Sequence, residues 1–164
     1  MRHTSPHVHG NLSNMRNVFE RLREVAGLQV VVGVPEGLKK VDDKGRELSL
    51  GEIAAVNCFG SSDGHIPSRP FLRQGVRKAE GKITRIYGTC LRGIVKGTIG
   101  VHYTLELIGT EAANVVKQEI LDGGFVPNAP STIDAKGSSR PLTDSGQLRQ
   151  SVTHIVEPAG TVHR

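Results

Sequence analysis

Apolar residues recur at three- and four-residue spacing over three long stretches, and each predicts a helix with one apolar face. Met15, Val18, Phe19, Leu22 and Val25 mark the first, over 14–26, with Ser13 placed to cap it and Gly27 to end it. Leu72, Val76, Ala79, Ile83, Ile86, Cys90 and Ile94 mark a second and longer one, from Phe71 to about Gly97. Gly75, Gly81, Gly88 and Gly93 interrupt its pattern, each at a cost of up to about 1 kcal/mol relative to alanine. A kink or break is expected near Gly88. Val101, Leu105, Ile108, Ala112, Val115 and Ile120 mark the third, over 101–121. The link at 97–100 is short, so these two long helices should lie antiparallel as neighbours.

Between and after the helices the period changes. Residues 28–34 are β-branched and nearly all apolar, a buried strand, and Pro35-Glu36-Gly37 turns the chain behind it. Residues 39–47 are charged around a turn at 42–45 and read either as the tip of a hairpin or as an open surface loop. Ser49 and Glu52 have the spacing of a capping box and start a short helix that Gly60 ends. Residues 123–140 form an irregular arm containing Pro127 and Pro130, with one helical turn at 131–136; a loop of this length in a small domain is commonly functional. Asp144 and Gln147 again have capping-box spacing. Residues 148–156 then finish as a strand, paired with 28–34. The sum is an α+β fold, a small and mostly antiparallel sheet packed by several helices, with long loops and arms. It occupies one domain over 13–157, between a flexible arm at 1–12 and a short tail at 158–164.

One stretch, residues 57–72, joins the short helix to the long one. Pro67 and Pro70 hold Ile66 and Arg69 extended, because each ring clashes with a helical residue before it. Pro70 can open the long helix at the position where a missing N–H costs nothing. The segment from Ile66 to Leu72 has two readings. It is a rigid lead-in with Phe71 plugging the core, or an exposed, pre-ordered ledge with Arg69 at its tip for a partner.

Charge adds a second feature. The 164 residues carry 21 Lys and Arg against 16 Asp and Glu, a net +5, which suits an anionic partner. The excess concentrates on the long helix, where Arg69, Arg73, Arg77, Lys78, Lys82, Arg85, Arg92 and Lys96 face Glu80 as the single acid. Arg69, Arg73 and Arg77 are four apart and stack on one helical face. Three readings stay open: a solvated face, a contact with acidic residues of a neighbouring subunit, or a channel lining that touches DNA phosphates without reading sequence. Aromatic residues, at 4% of the chain with no tryptophan, are too few to stack single-stranded bases.

Chemistry is less in view. Cys58 and Cys90 have no metal spacing and fall at apolar positions, so both read as reduced core residues. His3, His7 and His9 lie in the N-terminal arm, and the remaining histidines are scattered. Asp144-Ser145-Gly146 matches the aspartic-protease tripeptide, but its partner motif is missing and a helix cap explains it. No phosphate loop, metal motif or nucleophile elbow is present. No enzyme activity and no cofactor is expected. No apolar run has the length of a signal peptide or a membrane span, so the compartment expected is the cytoplasm.

Two blocks carry a resemblance. Ala-Ala-Val-Asn-x-Phe-Gly at 54–60, a loop, and Ile-Pro-Ser-Arg-Pro-Phe-Leu-Arg at 66–73 resemble the signature of neck proteins of long-tailed bacteriophages, variously described as tail-completion, head–tail joining or minor tail components. Pro-Leu-Thr-Asp-Ser-Gly-Gln-Leu-Arg-Gln-Ser-Val at 141–152 resembles the C-terminal block of the same family. With the preceding strand, the resemblance covers roughly residues 28–157. It implies the same α+β architecture and a virion protein, assembled in the cytoplasm of a bacterial host, that forms a homo-oligomeric ring of six or twelve subunits in the neck. Its partners would be copies of itself, other neck and tail proteins, and duplex DNA in the channel. The candidate interface or channel residues are Arg69, Arg73, Arg77, Lys78, Lys82 and Arg85. The candidate assembly segments hold Ile66, Pro67, Pro70, Phe71, Pro127, Pro130 and Lys136, and the pieces able to order on contact are 1–12, 36–48 and 123–140. The alternative is a small basic protein that contacts nucleic-acid phosphates without sequence preference. The chain departs from the family's pattern at Cys58, where an acidic residue is usual, and at Ser145, where threonine is common.

Overall fold

The computed structural model describes residues 12–41, 45–136, 139–143 and 146–162. The chain runs α1 (Leu12–Ala26), β1 (Leu28–Gly33), β2 (Lys39–Val41), β3 (Glu47–Ser49), α2 (Leu50–Phe59), α3 (Phe71–Lys96), α4 (Val101–Asp122), α5 (Pro130–Lys136), α6 (Gln147–Ser151) and β4 (Thr153–Pro158). This is the α+β architecture the pattern predicts, and no described helix is long and apolar enough to cross a membrane.

The antiparallel pair α3 and α4 is the spine. Glycine removes a side chain at two close approaches of α3, one to α4 and one to the link that follows α3. A Cβ on Gly75 would lie 2.7 Å from the Cα of Val116, and one on Gly93 would lie 2.5 Å from Ile99. Gly81 and Gly88 meet nothing within 4 Å. α3 stays helical for 26 residues, so the break expected near Gly88 does not occur: the packing of both neighbouring turns outweighs one residue's lower propensity. Gly97, at φ +75°, ends α3 in the left-handed conformation, its N–H bonded to the carbonyls of Gly93 and Ile94.

The strand pairing predicted across the chain is present, with β1 antiparallel to β4 in the register Val30 to Val156 and Val31 to Ile155. Alternation puts Leu28, Val30, Val32 and Val156 toward the helices. The charged stretch is a hairpin, β2 with β3, so there are two two-stranded sheets in place of one. The final strand starts later than predicted. Residues 147–151 form a helical turn, and β4 begins at Thr153. Leu148 and Val152, four residues apart, face the core together.

Two apolar clusters fill the interior. One gathers Cys90, Ile94, Val101, Leu105 and Ile108 at the α3–α4 turn, with Val25 of α1 and Leu28 and Val30 of β1 against it. The other, at the opposite end of the spine, joins Ala54, Cys58, Phe71, Val116, Ile120, Leu142, Leu148 and Val152. Phe71 and Val152 are wholly buried. Leu142 holds a left-handed backbone, φ 61°, which a buried side chain in this cluster offsets. Both cysteines are free and buried. The expected arm at 1–12 lies outside the described residues apart from Leu12, as do Asp144 and Ser145 of the expected cap.

Candidate functional site

The end of α2 shows why residues 57–72 have their order. A helix end leaves carbonyls without partners. Here the returning chain supplies them. The Gly60 N–H bonds to the Val56 carbonyl at 2.8 Å and the Arg69 N–H to the Asn57 carbonyl at 2.7 Å. The Ser68 hydroxyl donates to the Cys58 carbonyl at 2.7 Å. Gly60 has φ +83°, and a Cβ there would sit 2.9 Å from the Ile66 carbonyl oxygen. Only glycine fits that crossing. The loop between is closed by Ser61, whose hydroxyl bonds Asp63 and accepts the Ile66 N–H at 2.8 Å. These hydrogen bonds hold the Asp63 carboxyl below its ordinary range, the Ser61 hydroxyl contributing most and the His65 N–H next.

Arg69 is the centre of this construction, and its position corrects the sequence expectation. It is 4% exposed and does not continue the outward face of Arg73 and Arg77. Pro70 keeps it out of the helix, and its side chain turns inward across the molecule. Nε donates to the Val126 carbonyl at 2.9 Å. Nη2 donates to the Pro127 carbonyl at 3.2 Å and to Asn128 Oδ1 at 3.1 Å. Nη1 reaches Asn57 Oδ1 at 3.4 Å. Burial pulls its pKa below the ordinary value, since no carboxylate stands among these partners. The two asparagines extend the chain of bonds: Asn57 Nδ2 donates to the Ile53 carbonyl at 2.8 Å and Asn128 Nδ2 to the Arg140 carbonyl at 3.3 Å. One guanidinium therefore ties α2, the 66–70 lead-in, the arm at 126–128 and the chain entering Pro141-Leu142. Arg69 is unavailable to DNA or to a partner subunit. The arm that holds Pro127 is fastened at Arg69.

The other candidates separate by environment. Arg73, Arg77 and Arg85 are exposed, as are Arg92 and Lys96, and their side chains make no hydrogen bond or ion pair to another described residue. Lys78 and Lys82 point to the flank shared with α4, where Lys78 bonds the buried Glu119 at 2.5 Å and Lys82 bonds Glu111 at 2.7 Å. They brace the spine. Pro67 and Pro70 frame the lead-in, Phe71 is core, and Ile66 is partly exposed. Pro130 opens α5, which Lys136 ends; the Lys136 side chain lies outside the described residues.

Sequence reasoning missed a contact on the other side of α4. His154 Nε2 lies 2.8 Å from Glu106 Oε2, and His102 Nδ1 lies 3.7 Å from the same carboxylate. The histidine ring fits because residue 109 is glycine, where a Cβ would fall 2.1 Å from it. The i, i+4 spacing of His102 and Glu106 was visible; the strand that brings His154 to them was not. Among the described residues, no group of three or more His, Cys, Asp or Glu is placed to hold a metal.

Comparison with protein-family models, with curated proteins and with solved structures gave no match to this chain.

Proposed function

We propose that the protein is a structural virion component of a long-tailed bacteriophage, a ring-forming neck subunit that completes the tail or joins it to the DNA-filled head. One observation carries the reading beyond resemblance of short blocks. The two blocks lie about seventy residues apart, yet Ala54, Cys58 and Phe71 of the first share one buried cluster with Leu142, Leu148 and Val152 of the second. The Asn57–Arg69–Asn128 relay runs from the first block to the carbonyl of Arg140, next to the second. Residues that resemble one family in two places are thus the residues that build one unit. The function is assembly: a rigid platform, with positions set by caps and a buried arginine.

Disrupting the gene in its source virus and imaging the lysate by electron microscopy tests this. DNA-filled heads lying apart from tails support a joining role, and tails of abnormal length place the subunit at the tail end. Intact, infectious particles overturn the proposal.

The unpaired cations of α3 favour a second reading, non-specific contact with duplex phosphates. Filter binding against duplex DNA at several salt concentrations separates the two. Tight binding by the isolated subunit with a steep salt slope supports the second reading, since each neutralised phosphate adds about 0.9 to that slope. A ring subunit binds weakly alone, because its charges add only in the ring.

A further inference from the structure

Two apolar helix faces are left uncovered by the described residues, at opposite ends of the spine. α2 is apolar on nearly every side (Leu-Gly-Glu-Ile-Ala-Ala-Val-Asn-Cys-Phe), a composition that belongs to a helix covered all round. Ala54 and Cys58 meet the core, but Val56 is 36% exposed and Phe59 is 82% exposed. Ile66, 38% exposed, is carried by the cap loop that crosses the end of the same helix. Phe59 sits on backbone fixed by three capped carbonyls, so a partner gains an aromatic anchor without ordering it first. α1 repeats the situation. Val25 packs on the core, while Met15, Phe19 and Leu22 are 52%, 64% and 38% exposed. Spacings of four and three put them on one stripe.

The faces are unlike, far apart and opposite in rim charge. α2 is anchored beside Phe71 at the start of α3. α1 is anchored at its end, where Arg21 Nη1 donates to the Val95 carbonyl at 2.9 Å. At 1.5 Å per residue the two anchors are about 36 Å apart. Residues 50–68 contain Glu52 and Asp63 and no Lys or Arg, with Glu52 one helical repeat from Phe59 on the open face. The stripe on α1 is edged by Arg16 and Arg23, seven residues apart and both exposed. Among the described residues Arg16 pairs with Glu20 at i, i+4, an exposed contact weak enough to exchange.

We infer that the α2 face of one copy docks on the α1 face of the next, Phe59 and Ile66 against the Met15–Phe19–Leu22 stripe, with Glu52 and Asp63 toward Arg16 and Arg23 of the neighbouring copy. The contact is heterologous, so any open series keeps one free α1 face and one free α2 face at its two ends and becomes saturated only by closing into a ring. This rests on the ring reading above and names the two surfaces that such a ring joins.

The test uses the full chain in solution, by size-exclusion chromatography with light scattering at about 0.1 mM. The wild type forms species larger than a dimer. Phe59→Ser and Phe19→Ser, both at exposed positions, each give monomers with unchanged circular dichroism. Mixed one to one, the two variants give a dimer, because one keeps its α1 face and the other its α2 face. Val56→Lys and Met15→Lys repeat the experiment with different chemistry. Arg23→Glu weakens assembly at least tenfold, and adding Glu52→Arg restores it at low salt. A monomeric wild type, variants that assemble as the wild type does, or a mixture that stays monomeric overturns the assignment. Variants that assemble normally while gene disruption still separates heads from tails reject these surfaces and leave the neck role standing; intact particles after disruption reject the neck role without touching the solution result.

Discussion

Replacing Arg69 by methionine keeps length and flexibility but removes the charge and every donor, and the structure sets what that costs. Three short bonds are lost, to Val126 and Pro127 carbonyls and to Asn128 Oδ1, together with the longer one to Asn57. A hydrogen bond to a charged group contributes about 1.5–3 kcal/mol net. Two terms lower the sum. Val126 and Pro127 are exposed residues, so their carbonyls can turn to water, and removing the cation returns its desolvation cost. One term raises it: Asn128, 9% exposed, keeps an unpaired oxygen that costs about 1–3 kcal/mol. The net loss is about 3 kcal/mol. With a urea slope of about 2 kcal/mol/M, the midpoint falls by about 1.5 M. Arg69→Lys recovers less than half, since one ammonium on a flexible stem cannot reach acceptors on both sides as the planar fork does. Arg73→Met and Arg77→Met, on the solvent side of the same helix, stay within about 0.5 kcal/mol of wild type. A local readout accompanies the melt: chymotrypsin cuts after Phe125, whose ring packs on the core, faster in Arg69→Met than in wild type under native conditions. An unchanged midpoint with unchanged cleavage at Phe125 would refute the clasp.

The glycines of α3 give a prediction of sign. Gly75→Ala forces α3 from the Val116 backbone and destabilises by about 1–3 kcal/mol, whereas Gly81→Ala and Gly88→Ala, in open space, stabilise by about 0.5–1 kcal/mol each; thermal melts of the three variants decide it. Burial pushes the Cys58 thiol up, against the weaker opposite effect of the Leu72 and Phe71 N–H groups. Its folded pKa therefore lies above its unfolded one, so its contribution to stability is complete below the unfolded value and disappears as the pH rises beyond it. Native protein at pH 8 then reacts with a thiol reagent only as fast as it opens, and Cys58→Ala loses less stability than wild type between pH 8 and 10. Prompt reaction of a thiol in the folded state would contradict the burial of Cys58 and Cys90.

The elements were legible where one face of a periodic segment meets the core. α3, α4, β1 and the Ser49 cap, whose hydroxyl accepts the Glu52 N–H at 3.4 Å, follow from spacing alone. Failures came where a residue's role is fixed by something distant in sequence. Arg69 fits the four-residue ladder of Arg73 and Arg77, and local spacing places it on their face. What turns it inward is Pro70, which ends the ladder, and acceptors 57 to 59 residues farther along the chain. Gly88 looked like a break because propensity is local, whereas the neighbouring turns of α3 are held by α4. Met15, Phe19 and Leu22 form the apolar stripe their spacing predicts, yet they are exposed: amphipathic spacing states only that a face wants covering, not whether the cover lies in the same chain. The same gap appears at Val56 and Phe59. The sequence resemblance and the open faces therefore bear on one question from two directions. The order Asn-x-Phe-Gly, Ile-Pro-Ser-Arg-Pro can be accounted for largely as a capped and clasped platform, the side chains of Phe59 and Ile66 apart. Asn57, Gly60, Ser68, Arg69 and Phe71 each have an internal partner or a buried place. The Phe59 ring has neither among the described residues, and their packing gives no reason for an aromatic ring there. A second copy does.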